Sequence, residues 1–363
     1  MMSKRISLIT IHVGNNFGSV LQTIASCLML KKLGCDVTVV DYWPDRVTYR
    51  RYWLDALKSP VKLAWRMIYF PMALANKYIY LSYLRKYCKL SKRITPRSDF
   101  AVECPRADVY VTGSDQVWNS IHNEGFDGHY YFEGLPADAT KMAFCSSIGR
   151  EDLDEKEKPK VRELLLGYKA ISVREDSAAN ILKKLGIEST QLIDPTFLLD
   201  RLQWEPFMSE RIVKQPYLLV YTPYNTIDKE MIYRAARLIA AQRGLKVITF
   251  SWTMKGESLA DKTIKYANPG DFLSLMHYAD FVITNSFHGT AFSINLNKQF
   301  FVFQPSAFST RIESILRKTG LTDRMIFSDA AVESSAEIDY VDVNRILDAE
   351  RTAALCFLDQ AIN

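Results

Sequence analysis

The chain contains no Cys-x-x-Cys pair. Its six cysteines stand apart at positions 27, 35, 88, 104, 145 and 356. That excludes a zinc ribbon or a thioredoxin-like site and fits the reduced thiols of a cytoplasmic protein. Histidine is scarce, five in 363 residues. No His, Cys or carboxylate cluster has metal-ligand spacing, so no metal is expected. No uncharged apolar stretch approaches the ~18 residues of a membrane span. The opening MMSKRISLITIHVG has an apolar run too short for a signal peptide and broken by His12; it reads as a first strand. Low-complexity tracts and repeats of solenoid period are also missing. Between Ala56 and Ser98 there is no acidic residue at all.

What is present is a soluble globular composition, 48% hydrophobic and 24% charged, with a net charge of +5. The length suits two α/β domains. The acid-free stretch holds Lys58, Lys62, Arg66, Lys77, Arg85, Lys86, Lys89, Lys92, Arg93 and Arg97, interleaved with Trp65, Tyr69, Phe70, Tyr78, Tyr80, Tyr83 and Tyr87. Two readings stay open. One is an amphipathic segment lying on an anionic bilayer. The other is a helical insertion, the basic aromatic segment over 56–98 with its helix from about Leu54 to Tyr87, packed on its own domain with a solvated basic face. No nucleic-acid motif accompanies the charge, and no nucleic acid is expected as a partner.

Along the chain, Ile6–Ile11 reads as a buried strand, Val20–Leu33 as a helix stopped by Gly34, and Val37–Asp41 as the next strand. The turn of this βαβ unit holds Gly14, Asn15, Asn16, Gly18 and Ser19. It is not G-x-G-x-x-G, and no nucleotide is assigned to it. Strands at Ala107–Thr112, Lys141–Phe144, Ala170–Val173 and Gln191–Ile193 each run into a polar loop: GSDQVWN, Cys145-Ser146-Ser147-Ile148-Gly149, Arg174-Glu175-Asp176-Ser177 and Asp194-Pro195-Thr196. A second series starts near Pro216, with strands at Tyr217–Tyr221 and Lys246–Phe250 and a helix at Asp228–Arg243. Strands that end repeatedly in polar loops, with helices between, specify parallel sheets with a site along one edge. The fold class is α/β, with two Rossmann-type parallel-sheet domains facing a cleft. The expected domains are 1–195, 196–342 and a closing helix at 343–363.

The segment Tyr278–Gln304 is the most informative. It parses as a strand (Phe281–Thr284), a turn (Asn285–Gly289), a helix (Thr290–Asn297) and a second strand (Phe300–Phe303). Such a junction offers backbone N–H groups and the positive end of a helix dipole to an anion. Here the turn also carries a proton carrier, His288, beside Asn285, Ser286, Gly289 and Thr290. The plain alternative is a loop histidine satisfied by a carbonyl.

The ordered motifs NNFGSVLQT, GSDQVWN, CSSIG, SVREDSA, DPTFLL and ITNSFHGTAFSINLNK resemble those of the polysaccharide pyruvyl transferase family, over roughly residues 6–330. The resemblance implies a GT-B-like fold. It also implies transfer of a pyruvyl group from phosphoenolpyruvate to two hydroxyls of a sugar, giving a cyclic ketal. The acceptor is a polysaccharide precursor, often lipid-linked, as in capsule and exopolysaccharide biosynthesis. It places the acceptor on the N-terminal domain and the donor on the C-terminal one. Phosphoenolpyruvate is then a substrate and no cofactor is expected. The protein would be cytoplasmic, with peripheral contact to an anionic membrane in view.

The same resemblance distributes the roles. His288 donates and accepts protons near neutral pH, with His12 next in line. Arg174 matches an arginine of the family pattern and is assigned to the donor's carboxylate or phosphate; its alternative is a salt bridge to Glu175 or Asp176. Some members carry an arginine where this chain has Ser286, and Arg311 is the candidate replacement. Many relatives read Gly-Asp where this chain reads Gly18-Ser19, which bears on acceptor contacts. Asp115 is a candidate base for the acceptor hydroxyl or else a turn cap, and Trp118 a sugar platform or else core. Asn15, Asn16, Ser146, Ser147 and Gly149 are expected to line the cleft. A GT-B glycosyltransferase using a nucleotide sugar is the alternative enzyme. It is disfavoured by the lack of an EGFG-type acidic loop. A non-catalytic scaffold of capsule assembly is the alternative without turnover.

Overall fold

Short runs rich in Val, Ile and aromatics, bounded by polar loops, build two parallel sheets in a computed structural model that describes residues 3–224, 228–251, 256–305, 309–329 and 336–363. The chain divides into two compact units, Met1–Leu198 with Thr352–Asn363, and Leu199–Arg351. In the first unit β1 (Arg5–Ile9) leads to α1 (Phe17–Lys32) and β2 (Asp36–Tyr42). Then come α2 (Tyr49–Ala56), α3 (Pro60–Tyr87), β3 (Lys89–Ile94), α4 (Phe100–Glu103), β4 (Val109–Thr112) and β5 (Lys141–Ser146). The unit continues with α5 (Lys158–Leu165), β6 (Tyr168–Val173), α6 (Asp176–Lys184) and β7 (Thr190–Gln191). Its sheet has the order β3-β2-β1-β4-β5-β6-β7, parallel throughout. Ile9, Val40, Ala143, Ile171 and Val173 join Ile181 and Leu182 in one buried core. Continuous apolar strands are what a sheet covered on both faces requires.

The second unit opens with α7 (Arg201–Trp204), then β8 (Tyr217–Tyr221), α8 (Lys229–Arg243), β9 (Lys246–Ser251) and β10 (Lys262–Lys265). It proceeds through α9 (Pro269–Tyr278), β11 (Phe281–Thr284), α10 (Phe287–Asn295), β12 (Gln299–Phe303), α11 (Thr310–Lys318) and β13 (Met325–Ile326). The sheet order is β10-β9-β8-β11-β12-β13, again parallel. Helix ends follow from local chemistry. Asp228 caps α8 by accepting from Met231 N, and Gly244, at φ 66°, closes it. Asn268 and Asp271 form a capping box around Pro269 at the start of α9. The last helix, α12 (Tyr340–Ile362), begins in the second unit and ends in the first. There Lys4 Nζ donates to the Ile362 carbonyl at 2.6 Å.

The basic segment is helical to Tyr87, the end expected for its helix, and one strand is added: Lys89–Ile94, inside the 56–98 stretch, is an edge strand paired with β2. Its polar KLSKRI pattern looks unlike a strand because one face stays solvated. Helix α10 starts at Phe287 rather than Thr290, because Thr290 N donates to the Ser286 carbonyl at 2.9 Å and closes a first turn there. His288 therefore lies inside the first helical turn.

Candidate active site

Ligands of open α/β sheets bind beyond the carboxyl ends of the strands, where the strand order reverses. In the second unit that reversal falls between β8 and β11. Asn285 follows β11 and donates through Nδ2 to the Tyr224 carbonyl, beyond the end of β8, at 2.9 Å. Its Oδ1 is buried and has no hydrogen-bond partner among the described residues. Ser286 is the N-cap of α10, but its hydroxyl makes no capping bond. The first N–H groups of a helix lack intrahelical acceptors, so the dipole's positive end is left for another acceptor. His288 is the second residue of α10 and only 2% exposed; its ring stands edge-on to Phe287, centroids 5.2 Å apart. Arg311, on the first turn of α11, is buried, and its guanidinium lies 5.5 Å from the Phe287 ring centre. Beside it the Thr310 hydroxyl is buried without a partner among the described residues. The structure thus gathers His288, Arg311 and two unsatisfied oxygens around one helix start.

Two neighbours expected to touch ligand do something else. A Cβ on Gly289 would fall 2.1 Å from Thr284 Oγ1 and 3.0 Å from Tyr221 Cδ1. Glycine is required there for the close approach of α10 to β11 and β8. The Thr290 hydroxyl turns back to the Ser286 carbonyl at 2.9 Å.

In the first unit the order reverses between β1 and β4. Asp115, beyond β4, has φ 72°, a left-handed conformation uncommon for a residue with a side chain. Its Oδ2 accepts from the Ser19 hydroxyl at 2.6 Å, across the reversal. Its Oδ1 accepts from Gln116 N at 2.8 Å and from Arg174 Nη2 at 3.4 Å. Arg174 is buried among carboxylates: Nη1 bonds Asp194 Oδ2 at 2.6 Å, and Nε lies 3.7 Å from Glu175 Oε2. Burial pushes the guanidinium toward the neutral form, but the charges of Asp194, Asp115 and Glu175 outweigh it and hold the proton more firmly than usual. An anionic donor arriving here would meet three carboxylates beside the Arg174 charge.

The loop after β5 belongs to the same network. Ser147 Oγ, Ile148 N and Gly149 N all donate to Glu175 Oε1 at 2.9 Å, and Ser146 Oγ donates to the Gly113 carbonyl at 3.0 Å. Ser146 and Ser147 are fully buried, and a side chain on Gly149 would strike Gln116 Oε1 at 2.6 Å. These residues hold the loop; they do not line a surface. Trp118 is core: 2% exposed, stacked on Tyr131 at 5.5 Å, its indole N–H donating to the Tyr130 carbonyl. Asn16 is the N-cap of α1, accepting from Gly18 N and Ser19 N at 2.9 and 3.3 Å, while Asn15 is exposed.

The sequence reading missed Asp41. His12, fully buried, places Nε2 3.0 Å from Asp41 Oδ1 and Nδ1 3.1 Å from the Thr10 carbonyl. Burial pushes the Asp41 carboxyl up, but bonds from His12 and Trp43 and the Arg93 charge bring it below its ordinary value. A carboxylate ending the apolar run VTVVD was the available signal. Among the described residues, no group of three or more His, Cys, Asp or Glu is placed to hold a metal, and no helix is long and apolar enough to cross a membrane.

The comparisons agree with this architecture. A family model described as polysaccharide pyruvyl transferase matches residues 16–306. No curated protein sequence matches the chain. Among solved structures, S. aureus MnaA with UDP is similar at 12% identity, covering 98% of this chain and 90% of that one, TM-score 0.53. The UDP-GlcNAc 2-epimerase of Methanocaldococcus jannaschii gives 12% identity, 96% and 99% coverage and a TM-score of 0.53. That of Neisseria meningitidis, bound to UDP-GlcNAc, gives 10% identity, 97% and 94% coverage and a TM-score of 0.51. Identities this low speak to fold alone, and the fold is GT-B-like.

Proposed function

Because the chain belongs to the polysaccharide pyruvyl transferase family, we propose that it forms a cyclic ketal on a sugar of a polysaccharide precursor, with phosphoenolpyruvate as donor. The observation that carries this is the start of α10, where a buried imidazole, a buried guanidinium and a helix N-terminus meet at the strand-order reversal. The donor needs an anion site and a proton for its methylene carbon, and this junction supplies both kinds of group. His288 gives the proton to C3, and C2 becomes electrophilic. A first sugar hydroxyl adds to C2 and passes its proton to a base, for which Asp115 is the candidate. A second hydroxyl closes the ring and displaces phosphate; its proton restores His288, and the departing phosphate takes up the proton held by the base. Products are the ketal and one inorganic phosphate. Arg311 is the donor clamp, and Arg174 positions Asp115.

Mass spectrometry of glycans incubated with enzyme and isotope-labelled phosphoenolpyruvate tests this. The expected gain is one pyruvate less one water, carrying label, with phosphate released in equal amount. Transfer from a nucleotide sugar in its place would move the protein to the glycosyltransferases.

Peripheral attachment to an anionic bilayer is part of the proposal. Leu57, Val61, Trp65, Met67 and Ile68 are each at least 55% exposed, and Trp65 stacks on Tyr69 at 5.5 Å. Exposed Lys58 and Lys62 flank this ridge. Arg85 and Lys86 lie on the order of 30 Å along α3 from Trp65, at 1.5 Å per helical residue, and do not share the ridge; Lys89, Lys92 and Arg93 belong to strand β3. Burying two large apolar side chains contributes about 3–6 kcal/mol, so Trp65→Glu with Ile68→Glu is expected to abolish sedimentation with anionic vesicles. Added salt should weaken wild-type binding. Undiminished sedimentation of the double variant, or equal binding to neutral vesicles, would leave only a solvated helix.

A further inference from the structure

Between α2, α3 and the loops that follow β1 and β2 lies a cavity of about 360 Å³ in the first unit. It opens at the carboxyl edge of the sheet, since Gly14 and Asn15 follow β1, and Arg46 to Tyr49 follow β2. Four cations line it, Arg46, Arg51, Arg66 and Lys77, against one carboxylate, Asp55. Arg51 and Arg66 share Asp55, at 3.5 and 3.9 Å. Among the described residues the other two have no carboxylate partner. Lys77 Nζ donates to the Val47 carbonyl at 2.6 Å and sits over the rings of Tyr49 and Trp43, at 4.3 and 4.6 Å. Arg46 Nη2 donates to Asn123 Oδ1 at 3.1 Å, and its Nε is buried without a hydrogen-bond acceptor among the described residues. Burial, and then the nearby Arg93 charge, push the Lys77 ammonium down to about 8, the response of a cation that is short of counter-charge.

A half-buried excess of positive charge with donors to spare recognises a group carrying more than one negative charge. Tyr49 and Tyr52, on the same wall, hold two of these cations in place, Lys77 over the Tyr49 ring at 4.3 Å and Arg66 over the Tyr52 ring at 4.5 Å. We infer that this cavity takes the phosphate-bearing end of the acceptor, a sugar diphosphate ester, with the diphosphate on Arg46 and Lys77. Naming the ligand an acceptor rests on the transferase reading; the binding of a diphosphate does not.

Calorimetry with inorganic pyrophosphate tests the site directly. Saturable binding at one site is expected, and Lys77→Met and Arg46→Gln should each weaken it by about tenfold or more, the effect of losing one charge-assisted contact. Arg106→Gln, which removes an exposed charge elsewhere, should leave it unchanged. No saturable binding by wild type, or equal weakening in all three variants, would overturn the site. Displacement of pyrophosphate by an isoprenoid diphosphate in neutral phosphatidylcholine vesicles would assign a lipid-linked ligand. Displacement by a soluble nucleoside diphosphate would assign a nucleotide-linked one. Displacement by neither would overturn the ester. The two readings fail separately. Pyrophosphate binding without ketal formation would defeat the transferase reading alone, and ketal formation without pyrophosphate binding would defeat the cavity alone.

Discussion

His288→Gln should lower turnover by a factor on the order of 10² to 10⁴, the loss that follows removal of a positioned general acid, while the melting temperature stays near that of wild type. Glutamine keeps a polar group of similar reach at the second position of α10 and removes only the ability to carry a proton. The helix N-terminus and Arg311 remain, so the apparent constant for phosphoenolpyruvate should change little. In heavy water the ketal methyl of the wild-type product should carry deuterium, and that incorporation should slow with turnover in the variant. Near-wild-type turnover would move the proton carrier elsewhere. A collapse of donor binding with unchanged rate at saturation would make His288 an anion contact only.

Arg174→Met is expected to act on stability. The side chain is fully buried and is the cation that Asp115, Glu175 and Asp194 share. Removing one partner of a buried ionic cluster costs about 3–5 kcal/mol, because the remaining charges stay buried without compensation. For a unit of this size the melting temperature should fall on the order of 10 °C. Arg174→Lys keeps the charge but loses the two-pronged geometry and should fall between. An unchanged melting temperature with a donor constant raised about thirtyfold, the loss of one contact of ~2 kcal/mol, would return Arg174 to the donor clamp.

The alternation of apolar runs and polar loops was enough to read two parallel sheets, because a strand buried on both faces has no other way to look. Phe281–Thr284 and Tyr217–Tyr221 are read to the residue. The start of α10 was not, since Asn285-Ser286-Phe287-His288-Gly289 has the composition of a turn. Only the packing of Gly289 against Thr284 and Tyr221 shows that the glycine serves a helix. Strand β3 was missed because its pairing partner, β2, lies about fifty residues back along the chain, and pairing, not propensity, defines it. For the polar residues at strand ends, sequence fixes the edge but not the direction. Ser147 meets Glu175 across 28 residues and Ser19 meets Asp115 across 96. Whether such a hydroxyl faces a ligand or a neighbour depends on chain that local pattern does not see.

The division of the chain has a consequence for its synthesis. The first unit is left at Leu198 and completed only by Thr352–Asn363, while the second is the continuous stretch Leu199–Arg351. A ribosome therefore delivers the whole second unit before the last piece of the first. Until then the N-terminal sheet waits without the helical turns that meet Lys4. The continuous unit can fold as it emerges, and the earlier-made unit finishes last, an inversion of the N-terminal-first order that multidomain chains generally follow.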